Sequence, residues 1–488
     1  MSPTLALSIL AGYFALLIAV ALYTSRGADT NTFFTANKQS PWYLVAFGMI
    51  GTSISGVTFI SVPGAVGKNM FSYYQVIMGN LVGYFVIAAV LMPLYYRLNL
   101  ISIYTYLDKR FGYWSHKSGS FFFLLSRTLG SAARLFLAVQ VLYLAIFQGL
   151  GIPFWLTGFI TIALIWVYTF KGGVKTIIVT DTLQTVFLLT ALVATIYLIS
   201  SQLNLGIGDL VSTISSSKYA QIFFFDDINY QHHFLKDFLS GVFIAIVMTG
   251  LDQDLMQKNL TCKNIGEAQK NMFWFCCTFA VVVMLFLCLG ALLYIYAGQT
   301  NFPIPTKTDE LYPSLALGGH FGTLVAVTFL LGITAATYAS SDSALTALTT
   351  SFCIDFMNIE QYQEAQRNRI KHYTHLGFSV LFLFIILGFR ALSQTDVLDT
   401  VFKMAGFTYG PLLGLFGFGM FFKKSVRDSL VPWVCLASPF ITYFIDTFSK
   451  EYLGYEFGFT KLMLNGLITM LGLWAISTKE NNATANLV

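Results

Sequence analysis

Apolar residues run along this chain in long blocks, and polar residues are largely confined to the short stretches between them. Blocks such as Leu5–Tyr23, Phe154–Val167, Val186–Ile199 and Phe273–Tyr296 contain no charged residue. A block near 20 residues matches the ~30 Å hydrocarbon core of a bilayer at ~1.5 Å of rise per residue. Hydrocarbon offers the backbone no water, so each block must satisfy its own hydrogen bonds as a helix. The pattern predicts an all-α polytopic membrane protein with about thirteen spans. They are expected at residues 3–24, 42–65, 72–97, 118–148, 152–170, 174–201, 237–256, 272–298, 318–352, 372–391, 396–422, 430–448 and 460–477.

Two spans depart from the apolar pattern. Residues 48–56 read Gly-Met-Ile-Gly-Thr-Ser-Ile-Ser-Gly, and residues 249–254 read Thr-Gly-Leu-Asp-Gln-Asp. Glycine and hydroxyl clusters weaken helical pairing and leave carbonyls free, which membrane depth tolerates only beside a protected cavity or inside protein. Counted from the second span, the two interruptions fall in the first helix of each of two successive five-helix blocks, where inverted-repeat transporters place their broken helices. Close packing through small residues explains either stretch taken alone. A single membrane domain over 1–488 is expected, with an extra helix at 3–24, repeats at 42–201 and 237–422, and two further helices at 430–477.

Composition excludes a water-soluble fold. Of 488 residues 56% are apolar, 16% aromatic and only 10% charged, against roughly a quarter charged in soluble domains. With the N-terminus outside and the C-terminus cytoplasmic, about 18 Lys and Arg fall inside and about 7 outside, the bias that sets orientation. The inner set includes Lys171, Lys175, Lys258, Lys263 and Arg367, and the plasma (inner) membrane is the expected location. Residues Met1–Tyr23 lack a basic n-region and a small-residue cleavage site, so a retained helix is expected. The net charge of +5 is scattered over short loops, which argues against nucleic acid. The expected partners are a small-molecule substrate and the lipid bilayer, with no obligatory protein partner. The six cysteines show no metal spacing and read as small thiols. The six histidines lie mostly near loops and read as surface residues; His372 and His375 have metal-like spacing without a convincing third ligand. No HExxH, GxSxG with partners or phosphate loop occurs, so an enzyme is not expected.

Charge inside the apolar blocks is the strongest chemical signal, because it costs at least ~2.5–3.5 kcal/mol at the centre of a span. Arg134 sits mid-span in Ser-Ala-Ala-Arg-Leu-Phe-Leu. Asp181 sits in Thr-Asp-Thr-Leu-Gln, where pairing with Lys171 or Lys175 at the interface is the plain alternative. Asp342 sits in Ala-Ser-Ser-Asp-Ser, within the hydroxyl-rich stretch Thr334–Thr346. Sodium is a small hard cation that takes several oxygens in place of its water. Hydroxyls from this helix and carbonyls from a broken one suit it; polar glue between helices suits the same residues equally.

At these residues the chain resembles the sodium/solute symporter family, which includes sodium-coupled sugar, proline and sialic acid carriers. The matching segments are Gly51–Gly56 (Gly-Thr-Ser-Ile-Ser-Gly), Val62-Pro-Gly-Ala65, Tyr104–Gly112, Lys171-Gly-Gly, Thr180–Gln184, Gly250–Gln257 with Glu267-Ala-Gln269, Ala335–Ser343 and Gly406–Pro411. They keep the family's order and spacing across about 400 residues. The resemblance implies a five-plus-five inverted repeat like that of the bacterial leucine transporter. It implies a first Na+ site from Gly51, Ile54, Ala336 and Ser340; Ala339 stands where a further hydroxyl is usual, and a one-residue shift would use Ser340 and Ser341. It implies a second Na+ site at Asp181, Asp342 and Ser343, by likeness to the sialic acid carriers. The substrate pocket is expected at Ser53, Ser55, Thr58, Tyr74, Asn80 and Arg134, with Arg134 clasping a carboxylate. The function implied is sodium-coupled symport by alternating access of a small polar solute, leaning to an acidic sugar such as sialic acid or another carboxylate. A neutral sugar or amino acid is the alternative solute, and a channel the alternative class.

Overall fold

The apolar blocks fold as helices in a computed structural model, which describes residues 3–26, 30–170, 173–392 and 397–478. In chain order they are α1 (Pro3–Thr24), α2 (Trp42–Ser53), α3 (Gly56–Asn69), α4 (Tyr73–Arg97), α5 (Tyr113–Leu150), α6 (Phe154–Thr169), α7 (Gly173–Gln202), α8 (Phe234–Gly250) and α9 (Gln253–Asn259). They continue as α10 (Ile265–Gln299), α11 (Gly322–Phe356), α12 (Glu364–Ala391), α13 (Thr400–Thr408), α14 (Gly410–Phe421), α15 (Asp428–Leu453) and α16 (Lys461–Ala475). Among the described residues eight unbroken helices are long and apolar enough to cross a bilayer, and three bent pairs bring the number to 11. The remaining two expected spans are the shorter α6 and α16, of 16 and 15 residues.

Both anticipated interruptions are real bends: α2 meets α3 at 56° and α8 meets α9 at 68°. A third bend, 42° between α13 and α14, falls in the block expected to run unbroken over 396–422. Its cause is local. Pro411 follows Gly410 in the first turn of α14, where proline has no N–H to return to the preceding turn.

The bundle is held by close backbone approach as much as by large side chains. A Cβ on Gly79 of α4 would lie 2.0 Å from the Phe238 carbonyl of α8, and one on Gly241 would lie 2.0 Å from that of Val76. Only glycine permits this crossing in both directions. Helix α7 packs against α2 and α11, and aromatic residues such as Phe85, Tyr197, Phe384 and Phe440 stay on the exterior, as a lipid-facing surface requires.

Several charged and polar side chains are deeper than the sequence suggests. Lys258, expected to mark a cytoplasmic loop, is 1% exposed. Arg110 is also buried, donating to the carbonyls of Gly419, Phe422 and Lys424. The histidines depart from a surface role: His116, His232, His233 and His375 are buried. His375 lies between the hydroxyls of Thr169 and Thr349, at 2.9 and 3.0 Å. Among the described residues no three His, Cys, Asp or Glu side chains form a metal-binding group. All six cysteines are free, and Cys277 is exposed.

Candidate functional site

At the first bend the helical ladder stops and restarts. Ile54 N reaches Ile50 O at 2.8 Å, and the next bond of that register joins Phe59 N to Ser55 O at 3.0 Å. Between them Ile54 (φ −87°, ψ 82°) and the extended Ser55 leave helical geometry. Among the described residues the carbonyls of Gly51 through Ile54 therefore accept no backbone bond across the gap. Two glycines bring neighbouring helices onto the break. A Cβ on Gly51 would fall 2.3 Å from Thr185 Oγ1 of α7, and one on Gly56 would fall 2.4 Å from Thr337 Oγ1 of α11.

Facing the break, α11 is buried from Thr334 to Ser351. Ser340 Oγ donates to Thr337 O at 3.1 Å, which leaves its lone pairs free to accept. Among the described residues the hydroxyls of Thr337, Ser341 and Thr346 have no hydrogen-bond partner, nor does that of Ser53 on the break itself. Ala336 and Ala339 offer only backbone oxygens. Buried oxygens normally find partners, so this concentration of unpartnered ones suits a small hard cation stripped of water.

The second predicted cluster is rearranged. Among the described residues Asp181 of α7 does not pair with Lys175, and Lys171 lies outside them. Asp181 Oδ2 accepts from Thr52 Oγ1 at 2.8 Å and forms a buried ion pair with Lys258 of α9, whose ammonium also meets Thr52. Asp342 Oδ2 accepts from Tyr168 at 2.8 Å. Among the described residues the second oxygen of each carboxylate, Oδ1, has no hydrogen-bond partner, and neither amide atom of the neighbouring Gln184 has one. Ser343, grouped with these aspartates by resemblance, instead donates to Asp254 of α9.

The second bend carries its own chemistry. A π turn over Ile246–Gly250 ends α8, and Asp252 caps α9 by accepting from Asp254 N at 2.9 Å. Such turns concentrate at functional sites. Asp252 also accepts from Tyr409 OH at 2.6 Å, at the third bend. Arg127 of α5 pairs tightly with Asp254 and lies 3.9 Å from Asp252.

Between the breaks lies a cavity of about 100 Å³. Of the residues assigned to a substrate pocket from the sequence, Ser53, Ser55, Thr58, Asn80 and Arg134 line this cavity. Tyr74 does not; its neighbour Tyr73 takes that position. Arg134 stands seven residues beyond Arg127, two turns along the same face of α5. The two differ in one respect: Arg127 is neutralised by Asp254, whereas the Arg134 guanidinium has no ion-pair or hydrogen-bond partner among the described residues. Phe402 of α13 closes one side of the cavity, packed against Tyr73 and Phe459 with ring centroids 6.3 and 4.6 Å apart.

The profile of the sodium:solute symporter family matches residues 33–428, most of the chain. The chain belongs to that family. A sodium/sialic acid symporter of Aliivibrio fischeri is 24% identical over 442 residues, 86% of this chain and 83% of that protein. One from Proteus mirabilis is 24% identical over 443 residues, 87% and 86%. Among solved structures, a substrate-bound, outward-open Na+-coupled sialic acid symporter shares the fold with a TM-score of 0.81 at 19% identity, covering 97% of this chain and 99% of that one. The protein is a multi-pass membrane symporter of the leucine-transporter architecture, and sodium is its coupling ion. Around the breaks of this symporter the structure also places Thr52, Arg127, Lys258, Thr337 and Gln184, none of them assigned to a site from the sequence. Gly250–Gln257 signalled the region of Lys258, but its position one residue past the motif read as the start of a loop.

Proposed function

We propose that this symporter imports a small organic carboxylate on the sodium gradient, with an acidic sugar of the sialic acid class foremost. The observation that carries the reading is Arg134. A guanidinium lining a cavity with no acid in ion-pair contact costs the protein solvation energy. A carboxylate supplies the bidentate partner that the fork geometry of arginine matches. Ser53, Ser55, Thr58 and Asn80 then supply hydroxyl and amide groups for the rest of a polar solute. Two relatives being sialic acid symporters by name agrees with this choice.

In the proposed cycle sodium enters from outside and bridges the carbonyls of Gly51 and Ile54 to α11, with Ala336, Ala339 and Ser340 and the added hydroxyls of Thr337 and Ser341. That ties α2 to α11, completes the solute cavity, and rocking of one repeat against the other opens both inward. The repeats are assigned to 42–201 and 237–422, in a plasma (inner) membrane with the N-terminus outside. A second cation is assigned to the open Oδ1 atoms of Asp181 and Asp342. One charge moved across ~100 mV yields ~2.3 kcal/mol and a tenfold sodium gradient ~1.4 kcal/mol. Together these support several-hundredfold accumulation of a neutral solute; an anion carried with one sodium forfeits the voltage share.

The test is uptake into proteoliposomes of N-acetylneuraminate, a monocarboxylate, galactose and proline, each with and without an inward sodium gradient. A carboxylate should accumulate only with sodium and be lost on Arg134→Gln. Uptake of galactose or proline that survives Arg134→Gln, with no acid carried, would install the neutral-solute reading instead. Linear, non-saturating flux would point to a channel.

A further inference from the structure

Two cavities meet at a thin aromatic partition, and each holds one cation without a partner. The inner one is the Arg134 cavity. The outer one, about 170 Å³, lies at a mouth lined by Gln231, His232, Lys403, Asp446, Lys450 and Glu456 among others. The partition is a run of rings: Tyr73 and Phe402 on the inner side, then Phe459, then His232, with successive centroids 6.3, 4.6 and 6.2 Å apart. On the orientation proposed above this mouth faces outward.

Most of the charge at the mouth is already matched. Lys450 Nζ is 2.8 Å from Glu456 Oε1, and Lys461 Nζ is 2.6 Å from Asp446 Oδ2. The hydrogen bond from Lys450 holds the Glu456 carboxyl below its usual range, so that acid remains ionised at neutral pH. His232 is turned to Asp237 Oδ2 at 3.3 Å. Lys403 is different. It is exposed on α13, immediately after Phe402, and has no ion-pair or hydrogen-bond partner among the described residues. One uncompensated ammonium thus sits in a concave, low-dielectric mouth, where walls focus its field and concentrate anions.

We propose that this mouth is a first binding station for the carboxylate of the incoming solute, held by Lys403 before it passes Phe402 and transfers to Arg134. The proposal rests on the carboxylate reading above. It adds a second site with the same anion chemistry, and it assigns the helix that carries the aromatic partition the task of presenting the solute to it.

The test uses the full chain in proteoliposomes with N-acetylneuraminate, measuring initial uptake at low and high ionic strength. Lys403→Gln should raise KM about three- to tenfold with maximal rate within about twofold, and KM should cease to rise with salt. Lys403→Arg should restore both. A Lys403→Gln protein with the KM and salt dependence of the unaltered transporter would overturn the proposal. A second measurement separates it from the carboxylate reading: saturation-transfer NMR of N-acetylneuraminate on Arg134→Gln protein. Weak residual binding there, lost in Arg134→Gln/Lys403→Gln, is the expected result. No residual binding, or binding that persists in the double variant, refutes the station. Should the unaltered protein carry only neutral solutes, the carboxylate reading falls, and the same NMR contrast still decides whether the mouth holds an anion.

Discussion

Arg127 and Arg134 share a helix face and a cavity, yet their substitutions should move stability in opposite directions. Arg127→Met strands Asp254 and Asp252 without their cation, and breaking a buried pair costs about 3–5 kcal/mol. Arg134→Met removes a charge that has no partner, so the melting temperature should hold or rise while carboxylate uptake disappears. Thermal unfolding in detergent alongside proteoliposome uptake reads both; a large drop for Arg134→Met would reveal a structural partner and weaken its role as solute ligand. Lys258 gives a sharper case. Lys258→Met should destabilise strongly by leaving Asp181 charged and unpaired, and Lys258→Met/Asp181→Asn should recover much of that loss, a coupling that a double-mutant cycle measures. The charges themselves were legible in the sequence, because Arg134, Asp181 and Asp342 interrupt apolar runs where charge is expensive. Their partners were not. Lys258 follows a polar stretch that ends a span, and no local rule says that its side chain turns back 77 residues in sequence to Asp181. Nor does spacing reveal that Ser343 faces Asp254 and leaves the adjacent Asp342 to Tyr168.

The two helix breaks were foreseeable for the same reason in both cases: glycines and hydroxyls replace aliphatic residues at membrane depth. What packs against them depends on tertiary approach. At Gly56 the hydroxyl of Thr337 occupies the space a Cβ would need, at 2.4 Å. Gly56→Ala should therefore displace the break from α11 and cut sodium-dependent uptake by about tenfold or more, as small misplacements at a site do. Gly56→Ala/Thr337→Ala removes the colliding oxygen and should recover thermal stability. It should not recover sodium affinity if Thr337 is a ligand. Sodium titrations of uptake on both variants make the distinction, and a double variant with ordinary sodium affinity would exclude Thr337. The bend between α13 and α14 was hidden because Gly406–Pro411 sits inside an otherwise continuous apolar block, where proline is tolerated when neighbouring groups satisfy the freed backbone. Here Asn465 of α16 donates to the carbonyls of Gly406 and Phe407, at 3.0 and 2.8 Å.

Across the whole bundle, the charges around the breaks nearly cancel without ions. Arg127, Arg134 and Lys258 face Asp181, Asp252, Asp254 and Asp342, an excess of one negative charge when all are ionised. One sodium balances the empty core, and an incoming carboxylate calls for a second. Carboxylate uptake should accordingly move net positive charge inward, and an inside-negative potassium diffusion potential set with valinomycin should accelerate it; indifference to voltage would mean one sodium per acid. The fold-level picture, helices from apolar blocks and breaks from polar ones, was legible because the bilayer leaves so few alternatives. Beneath it lies the claim that sodium is held between the α2–α3 break and the hydroxyl face of α11. Sodium-dependent thermal stabilisation of the purified protein tests this directly, since a ligand of the folded state adds stability as RT ln(1 + [L]/Kd). Na+ should raise the melting temperature above that in K+ at equal ionic strength, and Ser340→Ala/Ser341→Ala should cut the difference to the share contributed by the second cation at Asp181 and Asp342. Equal stabilisation by the two cations, or a sodium effect untouched in that double variant, would contradict it.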